Sequence, residues 1–379
     1  MLKSGELNPL TTPDVLRQAF PERGSIEGLL SAVKVPVYVI PQSGEPRWII
    51  LGDPRKALCV LRSWNPWNAA SRLRWSAVKL AASSGFLARM PGVEHGAFQI
   101  RTSYWQHELP QFPACLNAVV HVGTRSHTRK AIVFFIGADG AVECGAKVPL
   151  VDGGAKAILN EAAMLDRMKD FENLPRIIFQ DPERAIAAQT WLEGRPVSRG
   201  FSQAHLDLVS GLVNAGRSVR VSEFRSETEA DLEQIDLPFD RSVLARALEL
   251  LDFDTPVQSF IEHRDFAPWN LKWVRRGVLG LLDWEWSVPH GLPWQDICRF
   301  FYLDDVHFDG PGRVWEAMAT NELLLNYRRR FEILPAALPS LTMRYLLRVL
   351  AMDSMSGNER LARYTFRQIE RLLEVRSNR

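Results

Sequence analysis

Short apolar runs dominate the first half of the chain, and apolar positions at helical spacing dominate the second. Val35–Ile40 and Trp48–Leu51 have the length and composition of strands, with the turn-forming QSGEP near residues 42–46 between them. Ala57–Arg62 is a further apolar run. Ser71–Leu87 reads as a helix with Leu73, Ala77, Leu80 and Ala81 on one face. Asn117–Val122, Ala131–Ile136 and Ala141–Val148 read as three strands. GTRSHTRK joins the first pair and the turn GADG joins the second, which predicts an antiparallel meander. A helix is expected over Ala155–Met168, where Ile158, Ala162, Leu165 and Met168 recur at helical spacing. Two more strands are expected at Arg176–Phe179 and Ala185–Trp191, and then the Gly/Pro-containing LEGRPV breaks the pattern. Beyond residue 200, helices are expected over about 203–217, 240–252, 313–331, 339–352 and 358–376. One non-helical island, Ser259–Asp283, interrupts them.

Length and composition narrow the classes. A chain of 379 residues exceeds one core of ordinary size, so two or more packed units are expected. With 46% hydrophobic and 24% charged residues, a mostly disordered chain is excluded. A net charge of +2 gives no global field for nucleic acid or an anionic membrane, so neither is expected as a partner. The four cysteines, Cys59, Cys115, Cys144 and Cys298, lie far apart with no Cys-x-x-Cys pair. That pattern argues against structural zinc and for buried free thiols. The N-terminus has no apolar h-region and no run of 18 or more apolar residues occurs. A cytoplasmic location, where ATP is available, is the expectation; the oligomeric state is left open.

The island and its flank read IEHRDFAPWNLKWVRRGVLGLLDWEW. Asn270 follows Asp265 by five positions. The strand Leu271–Val274, the turn Arg275–Gly277 and the strand Val278–Leu282 then lead to Asp283. Such a hairpin returns Asn270 and Asp283 to one edge. Phosphoryl transfer needs an acceptor hydroxyl aimed at the γ-phosphate and cations on the phosphates. Asp265 suits the first task, and Asn270 and Asp283 are hard oxygen ligands suited to Mg²⁺. The competing reading makes Asp265 and Asp283 solvated turn residues.

With HRDFAPWN, LLDWEW and GLPWQDICRF, the chain resembles the aminoglycoside phosphotransferase and choline kinase family, which shares the protein-kinase-like fold. The resemblance spans roughly residues 117–305 and is strong over 259–300. It implies ATP and Mg²⁺ as cofactors, Asp265 as the catalytic residue and Asn270 and Asp283 as metal ligands. It also implies an upstream lysine on the α- and β-phosphates, Lys147 in ECGAKVPL, and a glutamate that holds it, Glu161 in LNEAAMLDRM. The phosphate-covering loop falls at Val122–His127, with Ser126 as a phosphate contact; this loop has one glycine where protein kinases have several. Arg125 and Arg129 are read as exposed charges at most. Trp191, in TWL, falls where the family hydrogen-bonds adenine, and is read equally as plain core. Asp296 is read as a buried brace, His263 as a structural hydrogen-bonder, and Glu285 as reaching either a second metal or substrate. Lys156 in GGAKA echoes a phosphate loop but lacks its Gly-Lys-Ser/Thr ending.

Three further features have plainer readings. RSWNPWNAASRLRW sets Arg62, Arg72 and Arg74 among Trp64, Trp67 and Trp75, suggestive of base or glycan stacking, but more of a packed helix with a charged outer face. Asp304, Asp305 and Asp309 suit a cationic or polyhydroxylated acceptor, or a solvated loop. The arginine-rich C-terminal helices read as amphipathic.

The expected fold is α+β and bilobal, protein-kinase-like. A small antiparallel-sheet lobe would span 111–191 and a larger helical lobe 192–379, with an N-terminal extension at 1–110. The expected activity is ATP-dependent transfer of the γ-phosphoryl group to a hydroxyl of a sugar, amino alcohol or aminoglycoside-like acceptor. No Ala-Pro-Glu segment follows Asp283, which disfavours a protein substrate. A catalytically silent nucleotide-binding module and an AMP transferase are the alternatives.

Overall fold

The first strands, β1 (Ala32–Gln42) and β2 (Glu45–Leu51), begin a sheet with apolar residues on both faces. Side chains alternate along a strand, so Ile49 and Leu51 enter one core cluster while Trp48 and Ile50 enter another. The computed structural model describes all residues except 1–8, 22–31, 43, 65, 67–68, 110–115, 198–199, 236–238, 308–314, 316–317, 319 and 378–379. It divides into two units, residues 2–196 and 197–379.

The first unit adds β3 (Glu94–Arg101), β4 (Ala118–Val122), β5 (Lys130–Ile136), β6 (Val142–Pro149), β7 (Ile177–Asp181) and β8 (Ile186–Thr190). Together they form an eight-stranded sheet of order β3-β1-β2-β4-β5-β6-β8-β7 in which every pair is antiparallel. The expected meander is its middle: Val120 pairs with Val133 and Val133 with Ala146. One face is covered by α1 (Thr12–Ala19), through Val15, Leu16 and Ala19, and by Tyr104 and Trp105 of α4 (Ser103–Glu108). The other receives Val60 and Leu61 of α2 (Leu58–Ser63) and Trp75, Val78 and Ala82 of α3 (Ala69–Ser84). Helix α5 (Asp152–Arg167) sets Ile158 and Ala162 on Ala187. A two-residue strand, β9 (Arg195–Pro196), ends the unit.

Residues 1–110 are therefore no separate extension among the described residues, and the sheet is not small. Strand β2 pairs with β4 from Trp48↔His121 to Leu51↔Ala118. Without β2, β4 would be an edge strand with unpaired backbone groups and buried-type side chains on both faces. Two local features become definite. The apolar run Ala57–Arg62, left unassigned from sequence, is mainly helix α2. In α3 the buried stripe is Trp75, Val78 and Ala82, whereas Leu73 and Leu80 are 76% and 70% exposed. The tryptophans among the arginines are core: Trp48, Trp64 and Trp75 pack at 4.8–5.4 Å between ring centres. The Trp75 indole also donates to the carbonyls of Leu61 and Trp64. Trp67 lies outside the described residues.

The second unit begins with α6 (Gln203–Gly211), β10 (Val213–Val219), α7 (Arg225–Glu233), α8 (Arg241–Glu249) and β11 (Val257–Glu262). A hairpin of β12 (Leu271–Arg275) and β13 (Val278–Leu281) follows, then β14 (Val288–Gly291) and the helices α9 (Gln295–His307), α10 (Glu322–Arg330), α11 (Leu338–Met355) and α12 (Glu359–Ser377). The helix expected over 203–217 stops at Gly211. The helix is capped at Leu212 and the chain passes directly into β10, which pairs antiparallel with β11; Gly216, at φ +75°, lies within that irregular strand. Much of 313–319 lies outside the described residues; α10 starts at an Asn321 cap whose side chain accepts from Leu324 N. Helix α11 is buried nearly all round, including Arg344, so it is a central helix and not an amphipathic one. Among the described residues no single helix is long and apolar enough to cross a membrane.

The two stripes of α3 are separable by measurement. Leu73→Ser and Leu80→Ser should each change unfolding free energy by no more than about 0.5 kcal/mol. Val78→Ser should cost about 1.5 kcal/mol or more, because it loses apolar burial and buries a hydroxyl. Urea titration checks both; a large loss at Leu73 would reverse the assignment.

Candidate active site

In the second unit, the backbone leaves β11 at Glu262 and turns at once. The amides of His263 and Arg264 donate to the two oxygens of Asp296, each at 2.8 Å. Arg264 sits in the left-handed region at φ +68°, a conformation that side chains other than glycine adopt only under constraint. The Asp265 amide donates to His263 Nδ1 at 3.2 Å, while His263 Nε2 donates to the Leu282 carbonyl at 2.9 Å. The ring thus carries its proton on Nε2 and joins the loop to the end of β13. Trp284 packs edge-on against it at 4.6 Å.

The carboxylate of Asp265 is held on both oxygens. Asn270 Nδ2 donates to Oδ2 at 2.8 Å and to the Asp265 carbonyl at 2.9 Å. Arg299 donates to Oδ1 through Nε at 3.1 Å and Nη2 at 2.7 Å. Pro268–Asn270 forms a single 3-10 turn, and Leu282 N donates to the Asn270 carbonyl at 2.8 Å, closing the hairpin where Asn270 and Asp283 stand. Asp283 is itself left-handed at φ +67°. The structure thus brings Asp265 and Asn270 into contact and sets Asp283 at the same hairpin end.

Asp296 is a buried brace, as its two amide partners require. Burial and the neighbouring Glu262 raise its pKa to about 7, against the pull of the two N–H bonds. Arg299 was not singled out from sequence. It lies one helical turn beyond Asp296, so the two reach the same loop from one face of α9, and the i,i+3 spacing in QDICR is the signal that would have found it. Glu262 is buried beside Arg264 and Arg348, with Arg348 Nη2 at 3.5 Å. Asp304 and Asp305 lie in α9 and not in a loop; Asp305 is buried and accepts from the Tyr364 hydroxyl. Asp309 is outside the described residues. Glu285 is half-buried between β13 and β14.

The donor set suits Mg²⁺. The amide nitrogen of Asn270 is committed to Asp265, which leaves its carbonyl oxygen as the ligand-capable end, and Asp283 adds a carboxylate. Among the described residues no group of three or more His, Cys, Asp and Glu is arranged to hold a metal. This is compatible with Mg²⁺, which uses one or two protein ligands with phosphates and waters.

In the first unit, Lys147 lies in the middle of the sheet, paired with Ile132 and Ala187. Its Nζ meets Glu161 Oε2 of α5 at 2.5 Å, both side chains being buried. Ser126 lies in the β4–β5 loop with its hydroxyl 3.4 Å from that of Thr128. Trp191 follows β8 and packs edge-on against Phe134 at 5.4 Å. Arg125 and Arg129 are not idle surface charges: both pair with Glu45, and Arg129 is buried. Lys156 is exposed. The glycines before it serve close packing, since a Cβ on Gly153 would lie 2.0 Å from the His127 carbonyl oxygen.

No protein-family model and no curated protein matches this chain. Among solved structures it is similar to choline kinases and aminoglycoside phosphotransferases. With choline kinase LicA from Streptococcus pneumoniae it shares 15% identity over 66% of this chain and 90% of that one, at a TM-score of 0.46. With the apo form of a thermostable mutant of aminoglycoside phosphotransferase APH(4)-Ia the values are 13%, 68%, 94% and 0.45. With a putative aminoglycoside phosphotransferase from Ralstonia eutropha they are 13%, 71%, 97% and 0.46. Another structure of APH(4)-Ia is a ternary complex with ADP and hygromycin B.

Because the folded-state pKa of Asp296 lies above the ordinary aspartate value, its protonation favours the fold. That contribution is complete below about pH 4 and is lost as pH rises through about 7. Asp296→Asn removes this slope and turns an amide NH₂ toward a backbone N–H, at a cost of about 1–3 kcal/mol. Denaturant titrations at pH 5 and pH 8 should show a wild-type decline that the variant lacks; equal slopes would exclude the effect.

Proposed function

We propose that the protein is an ATP-dependent, Mg²⁺-requiring phosphotransferase that moves the γ-phosphoryl group to a hydroxyl of a small molecule. The observation that carries this reading is the closed hairpin with Asn270 and Asp283 at its end and Asp265 hydrogen-bonded to Asn270. Asp265 orients the acceptor hydroxyl and takes its proton. Arg299 and Asn270 hold the carboxylate in one rotamer for that task. Asn270 and Asp283 hold Mg²⁺, which neutralises phosphate charge when bound. Lys147, fixed by Glu161, contacts the α- and β-phosphates; Ser126 and the backbone near Trp191 contact phosphate and adenine. The acceptor is a sugar, an amino alcohol or an aminoglycoside-like molecule, and the enzyme works in the cytoplasm.

Turnover of ATP measured against panels of those acceptors tests the proposal. Wild type should release ADP with at least one acceptor, and chelation of Mg²⁺ should stop it. Asp265→Ala should lower kcat by roughly 10²–10⁴-fold, and should also lower the melting temperature because Arg299 loses its carboxylate partner. Lys147→Ala should raise KM for ATP as well as lower kcat. Mass spectrometry of the product separates a phosphoryl group from an AMP group, and Mg·ATP binding without transfer to any acceptor would identify a silent module instead.

A further inference from the structure

The β4–β5 loop, Gly123–Arg129, has one glycine yet a closely defined shape. On one side it is fixed by α5: Leu150 N donates to the Arg129 carbonyl at 3.0 Å. Gly153 and Gly154 let the α5 backbone approach; a Cβ on Gly154 would lie 2.5 Å from the Arg129 carbonyl oxygen. On the other side it is fixed by β2. Glu45 accepts from Arg125 Nη2 and Arg129 Nη2, both at 2.9 Å, and from Leu10 N at 3.0 Å. Arg129 in turn donates through Nε to the Gly123 carbonyl at 3.1 Å, and Arg47 donates to the Val122 carbonyl at 2.6 Å. Glu45 therefore ties Arg125 and the loop's last residue, Arg129, through one buried carboxylate, and Arg129 in turn holds its first.

The charge is permanent at working pH. Its hydrogen bond to Arg125, helped by Arg129 and the Leu10 amide, holds the Glu45 carboxyl down at about 2. A buried Arg129 without this partner would be an uncompensated charge, which forces the side chain and the loop it belongs to out of place.

We infer that Glu45, a residue of the segment before the kinase-like motifs, is a positioning residue for nucleotide phosphate: it fixes the β4–β5 loop by charge where a glycine-rich loop would fold down on the phosphates by flexibility. This rests on the nucleotide reading above. Glu45 touches no phosphate itself. It sequesters the two loop arginines, so that the loop offers backbone N–H groups and the hydroxyls of Ser126 and Thr128 to the ligand.

The test compares Mg·ATP with adenosine, which has no phosphates for the loop to meet. Titration of Glu45→Gln should show Mg·ATP affinity down by roughly tenfold and adenosine affinity unchanged. Arg125→Gln, at an exposed side chain, should fold even if Glu45→Gln does not, and should show a smaller loss of the same kind. Amide exchange over residues 123–129 of the nucleotide-free protein should quicken in each folded variant. Unchanged ATP affinity, equal losses for both ligands, or an ATP loss in Arg125→Gln without faster exchange would each overturn the inference; the last would make Arg125 a direct phosphate ligand. A wild-type protein that binds neither Mg·ATP nor adenosine would overturn the nucleotide reading itself.

Discussion

Two successive amides, those of His263 and Arg264, share the buried carboxylate of Asp296, and the loop after β11 takes its shape from that meeting. A chain leaving a strand into the protein interior must find acceptors for its N–H groups or bear the cost of burying them bare. With both satisfied, Arg264 can occupy a left-handed conformation, and the next residue swings back toward the β12–β13 hairpin. His263 then spans from the Asp265 amide to the Leu282 carbonyl, so loop and hairpin end move as one body. Arg299, on the same helix as Asp296, fixes the carboxylate that this turn delivers.

The first unit uses the same device in another setting. Lys147 and Glu161 are each buried and would be costly alone, but together they pin α5 to the centre of the sheet. Three strands from before residue 110 complete that sheet, and helices from the same segment cover both its faces, so the part carrying Lys147 cannot be cut from the part that precedes it.

What could be seen in the sequence was what is encoded locally. Asp265, Asn270 and Asp283 are tied by a turn and a hairpin within a short segment, and Lys147 and Glu161 were implied by the family resemblance, with strand and helix arriving in the required order. Contacts across long separations left no local mark: Glu45 reaches Arg125 over 80 positions, and Arg299 reaches Asp265 over 34. Helix α3 carries two apolar stripes at helical spacing, one through Leu73 and Leu80 and one through Trp75 and Val78. Only the sheet beneath decides which is buried. The strand β10 was masked by apolar spacing continuous with α6, and its pairing with β11 overrode helical preference.

The left-handed backbone at Asp283 sets stability against the metal-binding role proposed for that position. An aspartate there costs on the order of 1 kcal/mol relative to glycine, which enters that region freely. A library of random variants selected only for resistance to heat would drift toward glycine or asparagine at position 283, and, under the proposed metal role, one selected for turnover would return to aspartate. The frequency of that single residue would report which pressure a population had been under.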